Sequence, residues 1–166
     1  MQIIRDRRIS ESHWRHVPEG TLAETQSAAG PDAIIVGLAD WRLHKAELRR
    51  RPAPVGVRLA AGDALDEVLE DLESIALVAL EFATFTEGRA YTQARRLRER
   101  HAFSGEIRAV GDVSRDRVAF MERCGFNAFE LPAAAGLQGA LDAFGEISHV
   151  YQPAADARPI IASQRT

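Results

Sequence analysis

The sequence contains one cysteine and one lysine, and it has no long apolar run. Cys124 alone cannot form an intramolecular disulfide, and the sequence has no C-x-x-C pair or Cys/His cluster that would indicate a structural zinc site. No segment approaches the roughly 18 apolar residues of a membrane span, and residues 1–9 are charged, unlike a signal peptide. We therefore expect a cytoplasmic protein that is neither exported by an obvious signal nor embedded in a membrane.

Basic and acidic side chains nearly balance, because 21 lysines and arginines face 24 aspartates and glutamates for a formal net charge of −3. This balance provides no overall positive field, so we expect no nucleic-acid partner. Lys45 is the single lysine and all other basic residues are arginines, a bias that a GC-rich genome produces without selection on function. The role of each arginine therefore depends on its position.

From residue 33 onward, apolar strands alternate with helical stretches. The predicted strands are 33–38, 55–59, 75–82, 106–110 and 127–131, and the predicted helices are 40–51, 64–73, 89–101, 115–124 and 137–144. A parallel sheet with right-handed crossovers requires this alternation. The predicted fold class is α/β, with a mostly parallel sheet built from βα repeats. The strand order stays open between a flavodoxin-like open sheet and a partial βα barrel.

The two ends of the chain have weaker patterns. Residues 3–9 have apolar ends around a polar centre, which indicates a short N-terminal hairpin. Residues 10–31 have two prolines, two glycines and little periodicity, so we expect irregular structure there. We predict one α/β domain over residues 1–151, followed by an extended or disordered tail over 152–166.

Local signals mark the starts of three helices. Asp40 and Asp63 each precede a stretch in which apolar residues recur with helical spacing. Aspartate is a preferred N-cap residue, so both are predicted to cap these helices. Asp112 follows a strand and is either an acid/base group or an N-cap for the helix near Ser114. In the helix over 89–101, the predicted buried stripe is Ala90, Tyr91, Ala94, Leu97 and His101.

Ligands of parallel α/β sheets bind beyond the carboxyl ends of the strands, where helices begin. The loop after the third predicted strand is the richest, with Thr86, Glu87, Gly88 and Arg89. Gly88 would let backbone N–H groups approach an anion, and Arg89 has the fork geometry that binds carboxylate or phosphate. A helix cap with glycine in a tight turn is the structural alternative. The other candidate ligand-binding residues are Arg108, Gly111 and Asp112.

Six arginines and two glutamates give residues 89–108 a local charge of +4. Four of these arginines lie close together on the predicted helix, namely Arg95, Arg96, Arg98 and Arg100. Such a stripe is either a solvated helix face or a docking surface for an acidic partner, which it would attract electrostatically.

The sequence contains none of the compact motifs for nucleotide, zinc or hydrolase chemistry, so it identifies no cofactor. His13 and His16 are spaced for one helical face, but without a third ligand nearby they predict no metal site. Cys124 ends a helix, where the negative end of the dipole disfavours a thiolate, and it is assigned to packing. Catalytic residues are therefore unassigned.

A longer, ordered set of residues resembles a bacterial family of unknown function. The likeness consists of IALVALEF at 75–82, FTEGR at 85–89, AR at 94–95, LRER at 97–100, GEIRAVGDV at 105–113 and RCGFNAF at 123–129. Weaker likeness occurs at residues 4–6, 56–57 and 150–153. This chain has Phe82-Ala83 where the family has Phe-Pro, and Glu87 where it has aspartate.

Members of that family are commonly labelled as oxidoreductases involved in sulfite reduction, because their genes lie beside those for sulfite reductase and adenylylsulfate reductase. The resemblance therefore implies an accessory protein or oxidoreductase of assimilatory sulfate and sulfite reduction in cysteine biosynthesis. The implied partner is sulfite reductase or its electron donor. The residues alone also allow a small-anion or nucleotide-binding enzyme that uses the arginines and Asp112 at the strand ends.

Overall fold

The computed structural model of the chain describes residues 1–23, 30–84, 88–132, 136–146 and 154–155. The strands are β1 (Gln2–Arg5), β2 (Arg8–Glu11), β3 (Arg15–His16), β4 (Ile34–Gly37), β5 (Val55–Leu59), β6 (Leu77–Phe82), β7 (Glu106–Gly111) and β8 (Ala128–Phe129). The α-helices are α1 (Leu38–Leu48), α2 (Arg89–Glu99), α3 (Val118–Arg123) and α4 (Leu137–Glu146). Leu65–Ser74 and Arg115–Arg117 form 3-10 helices. The tail predicted over 152–166 lies outside the described residues, except for residues 154 and 155.

All eight strands form one sheet in the order β2-β1-β8-β7-β6-β5-β4-β3. β3 to β8 are parallel and adjacent in chain order, and the β1–β2 hairpin adds to β8 in the antiparallel direction. The α/β class, the mostly parallel sheet and the N-terminal hairpin are confirmed. A consecutive order differs from the flavodoxin-like order, in which the first strand lies inside the sheet. Of the two alternatives, the structure corresponds to the partial barrel.

The sheet is curled into a half-barrel. β2 and β3 are its two edge strands, yet only Ser12, His13 and Trp14 connect them. Glu11 and Arg15 can therefore be at most about 15 Å apart, since consecutive Cα atoms are about 3.8 Å apart. Seven strand spacings in a flat sheet would separate the edges by about 34 Å. The short connection thus requires the two edges to approach each other.

The two faces of this sheet differ. Right-handed crossovers between consecutive strands place the helices on one face, and the main core lies between that face and the helices. Val57, Leu80 and Ile107 are fully buried there. The opposite face carries none of the helices of the described residues and is here called the helix-free face. It has a small apolar cluster made of Ile35, Leu77, Ala79 and Val110, against which Trp14 packs.

Several helix starts differ from prediction. α1 begins at Leu38, so Asp40 is not its N-cap but a buried first-turn residue, whose carboxylate accepts hydrogen bonds from the Gly20 N–H at 3.0 and 3.2 Å. Asp63 instead accepts a 2.8 Å bond from the Ala60 N–H. The residue that precedes the 3-10 turn after β7 is Ser114, so Asp112 is not an N-cap.

Helix type and burial also differ in places. The segment Leu65–Ser74 matches the predicted helix in position but is a 3-10 helix. In α2, Gln93 is buried, whereas His101 lies beyond the end of the helix and is exposed. β3 falls in the stretch predicted to be irregular. Within the described part of the chain, no helix is long and apolar enough to cross a membrane.

Candidate functional site

The loop before α2 is only partly visible. Thr86 and Glu87 lie outside the described residues, while Gly88 directly precedes α2 and has open space around it. Arg89 is the first residue of α2, and its guanidinium donates a 2.9 Å hydrogen bond to the Ala61 carbonyl. It lines a pocket of about 330 Å³ whose other charged side chains are Arg96, Asp63 and Asp66. Two carboxylates therefore accompany the two arginines, which weakens the attraction of this pocket for an anion.

Gly111 and Asp112 form a tight turn at the end of β7. Gly111 has φ +86°, and a Cβ atom there would lie 2.5 Å from the Phe82 carbonyl oxygen, so the turn requires glycine. The Asp112 N–H donates a 2.8 Å bond to the same carbonyl. The Arg117 guanidinium donates to the Asp112 carbonyl oxygen, lies 3.5 Å from its carboxylate and covers the Phe82 ring at 5.7 Å. These contacts are all made within the chain, and they hold the turn in place.

Arg108 is separated from the other candidate residues. It pairs with Ala79 in the sheet and faces the helix-free face, with no exposed surface, whereas Arg89 begins a helix on the opposite face. Its Nε donates a 2.6 Å bond to Glu106, and its Nη1 donates bonds to Glu130 at 2.8 Å and to Ser12 at 3.1 Å. Nη2 is 2.6 Å from the Glu106 carboxylate but has no partner with hydrogen-bond geometry among the described residues.

His16 extends this network to the surface, and sequence reasoning missed it. His16 Nε2 lies 2.9 and 3.2 Å from the two carboxylate oxygens of Glu130, and the His16 side chain is 34% exposed. Burial alone would raise the pKa of Glu130, but hydrogen bonds and charges from His16 and Arg108 outweigh it and hold that pKa below its ordinary value. The Glu130 carboxylate accepts a hydrogen bond from Nε2–H and so fixes the orientation of the imidazole ring. This is the oriented histidine–carboxylate geometry that general bases use.

The alternation of residue types in β7 indicates that polar side chains lie on the helix-free face. In β7, Glu106 and Arg108 alternate with Ile107 and Ala109, a period of two that indicates one polar and one apolar face. Arg58 and Glu81 lie on the same polar side in the neighbouring strands, 3.8 Å apart. The partner His16 has no such signal, because it lies 114 residues from Glu130 along the chain.

The four arginines predicted for docking have different environments. Arg95 is exposed and pairs with Glu99 one turn later at 3.1 Å. Arg96 forms a bidentate pair with Asp66 at 2.5 and 2.9 Å. Arg98 is half-buried, while Arg100 is exposed and has no ion pair among the described residues. The structure therefore leaves Arg95 and Arg100 most accessible.

Arg98 connects three segments of backbone. Its guanidinium donates hydrogen bonds to the carbonyl oxygens of Phe103, Gly105 and Gly125, and to the side-chain oxygen of Asn127 at 3.1 Å. The same Asn127 oxygen accepts a 2.8 Å bond from the Ile107 N–H. Arg98 thus ties α2 to the starts of β7 and β8.

We predict that the contribution of Glu130 to stability depends on pH. Its pKa is below its ordinary value of 4.5 in the folded chain, so the stabilisation is complete above that value and is lost as the pH falls through the folded pKa. Glu130→Gln should cost about 1.5 kcal/mol near neutral pH and progressively less in acid, measured by urea unfolding from pH 7 to pH 3.

Glu81→Gln is the matched control for this pH series. It removes a carboxylate from the same face, but one whose only ion pair among the described residues is the 3.8 Å contact with Arg58. Its pH profile should stay close to that of the wild type. A Glu130→Gln profile that ran parallel to the wild-type profile at every pH would contradict the proposed role of this carboxylate.

Comparison with known protein families provides the classification of this chain. The pattern of a family described as "Bacterial protein of unknown function (DUF934)" matches residues 56–161, which is more than half of the chain. The chain belongs to this family. The predicted family membership is thereby confirmed, while the sulfite-reduction label stays a prediction. A comparison with curated proteins finds no match.

The DUF934 match contains Arg108 and Glu130 but begins after His16. The bond between His16 and Glu130 therefore joins the matched region to the N-terminal part of the chain. Arg98, Gly111 and their hydrogen-bond partners lie inside the matched range, whereas Asn127 also bonds to Asp6 outside it. In this DUF934 member, the residues that carry the resemblance largely hold loops and strand ends together.

Proposed function

We propose that this DUF934 protein is a cytoplasmic accessory protein of assimilatory sulfite reduction that docks to the sulfite reductase system. The resemblance over residues 75–131 supports the pathway. The observation that supports docking is the exposure of Arg95 in α2 and of Arg100 directly after it. The candidate ligand-binding groups at Arg108 and Asp112 are instead engaged within the chain. Exposed arginines are typical of surfaces that meet acidic partners.

The alternative function is a small-anion or nucleotide-binding enzyme. It is supported by Arg89 at the start of α2, an 11-residue helix whose N-terminus carries partial positive charge. However, the pocket beside Arg89 also contains Asp63 and Asp66, and Arg108 lies on the other face of the sheet. The arrangement therefore favours docking over anion binding.

Deletion of the gene tests the proposed pathway. We expect the deletion strain to grow normally on sulfide or cysteine as sole sulfur source and to grow poorly on sulfate or sulfite, with the wild-type gene restoring growth. This pattern would locate the requirement at the reduction of sulfite. Equal growth of the deletion strain and its parent on sulfite would refute the proposal.

A further inference from the structure

Charge is distributed unevenly between the two ends of the half-barrel. The end where β3 to β8 begin is here called the amino-terminal edge. α1, α2 and α3 end there, because each helix runs back along the sheet. The hairpin turn after β1 lies there too, since Arg5 pairs with Ala128, the first residue of β8. Three exposed arginines at this edge, namely Arg8, Arg50 and Arg100, form what we call the arginine triad.

None of the three has a carboxylate partner among the described residues. Arg5, at the same edge, has only a 3.9 Å contact with Glu106. By contrast, four arginines near the carboxyl ends of the strands are paired. Each of the following has a carboxylate partner: Arg42 with Glu67, Arg58 with Glu81, Arg115 with Glu146 and Arg117 with Asp112. Among the described residues, exposed arginines without a carboxylate partner are therefore concentrated at the amino-terminal edge.

The helix dipoles do not account for this charge. Helix C-termini carry partial negative charge, which favours basic residues in their last turns. Other residues already occupy those positions, with Lys45 in α1, Arg96 and Arg98 in α2, and Arg123 in α3. Arg8 lies in β2, away from any of these helix ends. The arginine triad therefore adds positive charge beyond what the helices require.

The geometry points to the amino-terminal edge, rather than the outer face of α2, as the docking surface, and to a partner protein that presents a cluster of aspartates and glutamates. This inference rests on the proposed docking function and specifies its surface. A standard interface covers about 800 Å² on each partner, which is enough to span the end of a small barrel. An acidic surface would be steered to this edge, since complementary charge raises the association rate.

A protein partner fits better than a nucleic acid. The chain has a net charge of −3, and Glu19 and Asp116, at the opposite end of the half-barrel, are exposed and have no ion pair among the described residues. A long polyanion that extended beyond the edge would meet these carboxylates. A compact acidic patch that stayed on the amino-terminal edge would meet the triad and Arg5.

Charge reversal tests the surface directly. The test variant is Arg8→Glu/Arg50→Glu/Arg100→Glu, and the matched control is Arg42→Glu/Arg58→Glu/Arg115→Glu, which changes the charge equally but at the opposite end of the half-barrel. The first probe is fluorescent poly-L-glutamate, titrated at low and physiological salt, with circular dichroism to verify folding. We expect the test variant to bind at least about 10-fold more weakly than wild type, and the control to stay within about 3-fold.

Purified sulfite reductase is the second probe, and it separates the two proposals. If sulfite reductase also binds the test variant more weakly than the control and the wild type, both the proposed surface and the proposed function are supported. Edge-dependent binding of poly-L-glutamate without any binding of sulfite reductase supports the surface and counts against the proposed function. Equal binding of poly-L-glutamate by the test variant and the control overturns the inference. Tighter, edge-dependent binding of single-stranded poly(U) RNA than of poly-L-glutamate also overturns it.

Discussion

Replacing Arg108 by methionine should lower the free energy of unfolding by about 3 to 5 kcal/mol at neutral pH. Arg108 has no exposed surface, and its guanidinium is shared between the carboxylates of Glu106 and Glu130, which are 11% and 15% exposed. Methionine fills a similar volume but leaves Glu106 with only the 3.9 Å contact to Arg5 and Glu130 with only His16 among the described residues. That uncompensated charge, rather than the loss of packing, causes the destabilisation. Urea unfolding monitored by tryptophan fluorescence measures it.

Arg58→Met is the matched control, because Arg58 and Arg108 flank Ala79 in one row across the helix-free face. Arg58 is 35% exposed and lies 3.8 Å from Glu81, so its replacement should cost less than about 1 kcal/mol. Adding Glu106→Gln and Glu130→Gln to Arg108→Met should recover part of the lost free energy of unfolding, because the three substituted side chains are then all uncharged. Similar small losses for Arg58→Met and Arg108→Met would show that the buried network has little influence on stability.

The sequence predicts β4 to β8 well, because each of these strands buries apolar side chains against the helices. The strand at 55–59 is predicted to the residue, and β6 and β7 differ only at their ends. β3 could not be predicted in this way. Arg15 and His16 have no apolar pattern, and they form a strand only because they pair with Ile34 and Ile35 of β4.

The type of a helix and the residue that caps it depend on interactions that a local sequence pattern does not reveal. The i, i+3, i+4 spacing of Leu65, Val68 and Leu69 suits both an α-helix and a 3-10 helix, and the structure has the latter. Asp40 has the chemistry of an N-cap, but its carboxylate accepts a hydrogen bond from Gly20, twenty residues earlier. Such a distant donor has no signature near Asp40.

The candidate site shows the same limit. Arg108 stands out in a strand, and its alternation with Ile107 indicates a polar face. Sequence reasoning grouped it with Arg89 because both lie near strand ends, but the register of β6 and β7 places Arg108 in the middle of the helix-free face. Side-chain direction in a strand depends on register, since a shift of one residue reverses the face. The identity of its partners required the long-range fold.

Arg98→Ala should lower the free energy of unfolding by about 3 kcal/mol, although Arg98 belongs to the arginine stripe predicted for docking. Its guanidinium donates to three backbone carbonyls and to Asn127, and hydrogen bonds that involve a charged group contribute about 1.5 to 3 kcal/mol each before water compensates part of the loss. Arg98→Lys should recover little, because one ammonium group cannot reproduce the planar fork that reaches separate segments. Urea unfolding of the purified variants provides the values.

Arg95→Ala is the matched control on the same helix. Arg95 is exposed and pairs only with Glu99 among the described residues, so its removal should change stability by less than about 0.5 kcal/mol. If Arg98 acted mainly in docking, its replacement would weaken partner binding while the unfolding curve stayed close to that of Arg95→Ala. A marked loss of stability in Arg98→Ala alone would show that one residue of the stripe holds α2 to the starts of β7 and β8. Docking would then depend on the exposed arginines that have no carboxylate partner in the described part of the chain.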